Sequence, residues 1–117
     1  MSIPVDLADL NVALADFGAG YLLSASAEGR VKVVTVEPRI VDGTLVVRGP
    51  GRGSAANVAR NELVTVLFPP LSPRGYTLLV DGSAALEGDD VRVRPTSAVL
   101  HRPAAHADGP PAPGART

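Results

Sequence analysis

The spacing of apolar residues divides the chain into a short helical stretch, a succession of strands and an unpatterned tail. Leu7, Leu10, Leu14 and Phe17 recur at intervals of three and four, which puts them on one stripe of a helix. Asp6 precedes the stripe and can accept hydrogen bonds from free N–H groups of the first turn. Gly18 and Gly20 supply the stop. Tyr21 to Ser26 reads as a first strand and Ala27-Glu28-Gly29-Arg30 as a turn. In the second strand, Val31 to Glu37, the side chains of Val31, Val33 and Thr35 alternate with Lys32, Val34 and Val36. Pro38 ends or edges that strand, because it has no N–H for a ladder. Arg39-Ile40-Val41 leads to the hairpin dipeptide Asp42-Gly43, and Thr44 to Arg48 follows as the third strand. Beyond a glycine-rich turn, Ala55 to Arg60 reads as a short helix. Leu63 to Phe68 is an almost continuously apolar strand, buried on both faces or closed in a barrel. Pro69-Pro70-Leu71-Ser72-Pro73-Arg74-Gly75 is too rich in proline for regular structure and reads as a rigid loop. Tyr76 to Leu86 is a long strand with a bend at Gly82, Gly88-Asp89-Asp90 turns the chain, and Val91 to Leu100 closes the series.

Six strands, short turns and two short helices predict a mainly β, antiparallel barrel or strongly curled sheet. Closing the sheet removes exposed edges that would otherwise pair with other chains. The composition fits an aliphatic core: 45% of residues are hydrophobic, yet there are only two Phe, two Tyr and no Trp. From Pro103 onward no apolar period survives, so the end of the chain cannot bury enough surface to offset its ordering entropy. The expected organisation is one folded domain over residues 1–103 and a disordered Ala/Pro/Gly-rich tail over residues 104–117.

Charge and composition narrow the function. The formal net charge is −1, without the positive field of a nucleic-acid binder. No apolar run approaches the ~20 residues that span a bilayer, and Met1 to Asp6 lacks the pattern of a secretory signal. The absence of cysteine removes disulfides and thiolate chemistry. A cytoplasmic protein with neither nucleic-acid nor membrane partners is expected. His101 has no acid at ligand spacing and no second ordered histidine, His106 lying in the inert tail, so no metal site is expected. Neither a nucleophile elbow nor a paired-carboxylate site stands out.

The strongest chemical signal is the turn Arg48-Gly49-Pro50-Gly51-Arg52-Gly53-Ser54, which leads into the second helix. A helix start exposes N–H groups that have no partner within the helix, and the helix dipole favours an anion there. Arg48, Arg52 and Arg60 lie in or beside the turn, and no acid occurs between Asp42 and Glu62. Guanidinium groups donate paired hydrogen bonds to phosphate. The turn therefore reads as a phosphate cradle or, more simply, as a basic connection on a soluble surface.

The order of these pieces resembles the small split-barrel flavin-binding proteins related to pyridoxamine 5′-phosphate oxidase. The likeness rests on Gly20-Tyr21-Leu22-Leu23-Ser24, Gly29-Arg30-Val31-Lys32-Val33-Val34, Asp42-Gly43-Thr44-Leu45, Asn57-Val58-Ala59-Arg60-Asn61-Glu62-Leu63 and Gly75-Tyr76 to Ala84. It ends on Arg94-Pro95 to Pro103, similar to a short actinobacterial branch. The resemblance implies a six-stranded antiparallel split β-barrel with two short helices and a homodimer holding FMN, or alternatively F420, at its interface. The implied activity is oxidation or reduction of a small molecule. The alternative is a non-catalytic protein that holds a flavin, a haem or another phosphorylated ligand. The implied cofactor site comprises Lys32, Arg48, Arg52, Gly53, Ser54 and Asn57, with Arg39 nearby. Arg74 and Tyr76 are the implied substrate pocket, and no catalytic residue is assigned. This chain departs from the family pattern in one place: Ser54 stands where a lysine is usual, three residues before Asn57.

Overall fold

The computed structural model describes residues 1–113; the last four residues of the expected tail, 114–117, lie outside it. The chain runs β1 (Ser2–Pro4), a 3-10 turn (Leu7–Asp9), α1 (Leu10–Leu14), β2 (Gly20–Ala25), β3 (Val31–Val36), β4 (Arg39–Val41) and β5 (Thr44–Val47). It continues through α2 (Arg52–Arg60), β6 (Leu63–Phe68), β7 (Thr77–Glu87), β8 (Asp90–His101) and a second 3-10 turn (Ala104–His106).

All pairings are antiparallel, in the order β3-β2-β6-β7-β8-β5-β4. β7 pairs along the whole of β8, from Thr77 opposite His101 to Glu87 opposite Asp90. The other edge of β8 is shared: β5 takes its first half, with Val47 opposite Val91, and β1 takes its end, with Ser2 opposite His101. Eight strands stand where six were expected. The additions are β1 and β4, each three residues long. Segments this short hold too few side chains to show an alternation, and their pairing comes from backbone groups of a strand far away or across a turn.

The ladder bends at Gly82. Asp81 pairs with Ser97 but Gly82 pairs with Pro95, so β8 carries an extra residue, Thr96, whose hydroxyl bonds the Asp81 carbonyl at 3.2 Å. A Cβ on Gly82 would lie 2.6 Å from Val93 Cγ1 and 2.7 Å from the Arg94 carbonyl oxygen. The bulge also seats Pro95, which could not donate in a regular ladder.

Inward-facing side chains alternate along the strands and form one aliphatic core. Leu22, Leu45, Val66, Phe68, Leu78, Val80, Val91 and Val93 are fully buried there. Leu10 and Ala13 of α1 close one side, and Asp6 caps the preceding turn by accepting from the Ala8 N–H at 3.0 Å. Leu7 of the expected stripe is exposed instead, because the first turn is 3-10 and rotates it off the apolar face.

The outer face of β3, β2 and β6 is largely apolar, interrupted by Thr35 and Thr65, and is partly exposed among the described residues. Alternation and register place Val31 beside Ala25, Val33 beside Leu23, and Tyr21 beside Leu67, with Leu63 on the same face of β6. Val31, Val33 and Leu63 are 58%, 54% and 68% exposed. No helix among the described residues is long and apolar enough to cross a membrane.

Candidate functional site

The glycine turn delivers a helix start. Gly51 occupies the N-cap at φ 98°, ψ 164°, outside the range an L side chain readily adopts. No side chain caps the helix there. The helix begins at Arg52, three residues before the expected start, so Arg52, Gly53 and Ser54 form its first turn. Ala55 N–H already bonds the Gly51 carbonyl at 3.0 Å. The donors ahead of Ala55 are those a helix leaves unpaired.

Five of the expected site residues lie at this turn. Lys32, exposed on the face of β3 that also carries Val34 and Val36, lies over Gly53: a Cβ on Gly53 would be 2.6 Å from Lys32 Cε and 3.0 Å from its Nζ. Ser54 is fully buried, and its hydroxyl has no hydrogen-bond partner among the described residues. Arg48 and Arg52 are exposed at either end of the turn. The arrangement is a set of donors and cations around a helix start, the donor chemistry a phosphate requires.

Asn57 faces the sheet, donating from Nδ2 to the buried hydroxyl of Ser24 on β2 at 3.1 Å. It ties α2 to the strand next to Lys32 and so fixes the helix relative to the lysine. Asp90, expected only to turn the chain, accepts from the Gly49 N–H at 3.0 Å and clasps the start of the turn to the β7–β8 hairpin. Forty-one positions separate the two residues, so no local spacing signals the contact.

Arg74 and Tyr76 lie elsewhere, at the opposite end of β8 from Asp90. Tyr76 is buried under the guanidinium of Arg102, whose Cζ is 4.0 Å from the ring centroid. Arg102 is also buried, and sequence reading missed it. Part of the expected mobile tail is laid over this pair: Arg102 Nη1 donates to the Pro110 carbonyl at 2.7 Å, and Nη2 to the Ala107 carbonyl at 3.3 Å. Arg74 donates to the Asp108 carboxylate at 2.8 Å and to the Ala105 carbonyl. The placement of Ala105 to Pro110 against the barrel rests on these arginine contacts, to which apolar periodicity is blind. Among the described residues no cluster of three or more His, Asp or Glu could hold a metal ion.

Comparison with known proteins bears on both the fold and the kinship of the chain. No family model matches it. The uncharacterized proteins Mb0449c of Mycobacterium bovis and MT0457 of Mycobacterium tuberculosis are each 37% identical over 121 aligned residues, covering 86% of this chain and 82% of theirs. Among solved structures, a candidate pyridoxamine 5′-phosphate oxidase from Listeria innocua superposes with a TM-score of 0.67 at 18% identity, over 80% of this chain and 96% of that one. An FAD-binding protein from Mesorhizobium loti gives 0.65 at 17% identity over 86% and 96%. One from Mycobacterium smegmatis gives 0.64 at 15% identity over 85% and 97%. The chain therefore has the pyridoxamine 5′-phosphate oxidase-like split-barrel fold and belongs to the family of these two mycobacterial proteins.

Proposed function

We propose that this protein binds a flavin through the phosphate cradle at the start of α2 and serves as an oxidoreductase toward a small molecule. FMN is the preferred cofactor and F420 the alternative. The observation that carries the reading is the meeting of Lys32, Gly53 and the buried, unpartnered Ser54 hydroxyl at a helix start that no side chain caps. The flavin-binding fold mates named above support the same ligand class.

In this reading the helix N–H groups of the first turn and the Ser54 hydroxyl hold the phosphate oxygens. Lys32 supplies, from a neighbouring strand, the ammonium that the family pattern places at position 54. Arg48 and Arg52 neutralise the outward-facing charge. Asn57 keeps the helix in register by its bond to Ser24. A bound flavin supplies hydride chemistry, while the protein binds, orients and shields it. A redox reaction of this kind needs no acid or base of its own, consistent with the lack of a titratable constellation at the turn.

We also propose that the working unit is a homodimer. Val31, Val33, Tyr21 and Leu63 are exposed on one face of three adjacent strands, and a second copy would cover them isologously. The second functional reading, a carrier that holds the ligand without turnover, draws on Ser54: losing the usual lysine lowers grip on the phosphate.

The test is the near-visible spectrum of the purified protein, followed by titration with FMN and F420. A flavin or deazaflavin band that survives gel filtration, and is lost on replacing Arg48 and Arg52 together by alanine, supports the assignment. A colourless protein that neither cofactor stabilises overturns it. Turnover of the reduced, loaded protein with a generic acceptor separates the oxidoreductase from the carrier.

A further inference from the structure

A cation is buried at the far end of β8 with only neutral partners. Arg102 is 6% exposed, and among the described residues no carboxylate pairs with it. Its bonds go to backbone carbonyls of Arg74, Ala107 and Pro110, and its Nε, also buried, has no partner. Carbonyl dipoles compensate a buried guanidinium less well than an anion does. Stacking on Tyr76 fixes the plane of the guanidinium and leaves its edge to meet a planar acceptor.

The tail forms one wall of a cavity of about 250 Å³ that reaches two of this arginine's partners, Tyr76 and Pro110. Phe17, Pro70, Leu71 and Tyr76 line it from the barrel, and Pro110 and Pro111 line it from the tail. Pro110 has two roles: it lines the cavity and its carbonyl occupies Arg102. Lifting the tail would join the apolar cavity to the guanidinium edge. Asp16 also lines the cavity, so the negative charge of a ligand belongs at the arginine end.

The tail is closely fitted but weakly tied. Gly109 sits against the Arg74 carbonyl, where a Cβ would collide with backbone. Arg74 itself holds φ 63°, a left-handed conformation that costs energy for a non-glycine residue and marks a specialised position. The Arg74–Asp108 ion pair is exposed, 46% and 75%, so it holds the tail by a small margin that a surface substitution removes.

We propose that residues 105–110 are a displaceable strap, standing in for the ligand of a second binding site formed by Arg102, Tyr76 and the adjoining cavity. That ligand is a small carboxylate with an apolar body. Its carboxylate replaces the Pro110 and Ala107 carbonyls on Arg102, and its body fills the space against Phe17 and Leu71. The site stands apart from the glycine turn and does not depend on a flavin there.

The test follows the amide signals of Ala107 and Gly109 and the Arg102 Nε–H signal in the full chain by NMR. The protein is titrated with benzoate and with benzamide, its uncharged counterpart. Benzoate alone should give saturable shifts that move Ala107 and Gly109 toward their positions in Asp108→Ala, a surface change that loosens the strap. Gly109→Ala, which cannot seat the strap, should bind benzoate about tenfold more tightly, since the closed population no longer competes. Asp108→Ala gives the same direction should Gly109→Ala fail to fold. Equal responses to benzamide and benzoate overturn the inference. So does benzoate binding with one affinity to all forms, or an absence of saturable shifts in the wild type and the strap variants.

Discussion

Lys32 of β3 and Gly53 of α2, twenty-one positions apart in sequence, are packed so closely that a Cβ on the glycine would lie 2.6 Å from Lys32 Cε. The glycine allows an ammonium to reach the first turn of a helix, where N–H groups are free. Neither residue alone makes an anion site; the contact brings a charge and a row of donors to one place.

Gly53→Ala separates these roles. Alanine is the better helix former by about 1 kcal/mol, and the obstructing atoms belong to a flexible side chain, so the fold should hold or gain slightly. Lys32 should be pushed from the turn and FMN affinity should fall. Thermal unfolding and fluorescence titration read the two effects; unchanged FMN affinity would remove Lys32 from the site.

Gly82→Ala should be costly for the opposite reason. The added carbon would meet Val93 Cγ1 and the Arg94 backbone within the bulge, and backbone cannot yield as a lysine tip does. A loss on the order of 1–3 kcal/mol is expected for overpacking. Urea denaturation should show a lower midpoint at unchanged slope.

Ser24 and Asn57 should behave as a pair. Removing either partner leaves the other buried or half-buried without its bond, at a cost of about 1 kcal/mol each. The double alanine variant should cost less than the sum of the singles in equilibrium unfolding. Additive losses would show that the 3.1 Å contact does not couple α2 to β2.

The outer face predicts an oligomer effect without a stability effect in the separated chain. Leu63→Asp alters a residue that is 68% exposed, and a surface change of this kind alters chain stability by no more than about 0.5 kcal/mol. Sedimentation should nevertheless shift from dimer to monomer. A wild-type chain that sediments as a monomer would refute the dimer directly.

Much of the architecture was legible because it is local. The valine alternation of β3, the Asp42-Gly43 hairpin, the apolar run of β6 and the bend at Gly82 each follow from residues a few positions apart. The glycine turn was legible as well, although its helix starts earlier than alanine content alone suggests. β1 was not, since all three of its residues are exposed and its partners stand ninety-five or more positions away at the end of β8.

The sequence by itself determined the period of each long strand, the aliphatic core and the one stretch rich in turn residues and arginine, because these depend on backbone preference and side-chain alternation. The tertiary structure decided which charges meet. It set Lys32 over Gly53, Asp90 against Gly49, and Arg102 beneath the strap of residues 105–110. These contacts depend on strand order and register, and folding alone brings together groups that no sequence period relates.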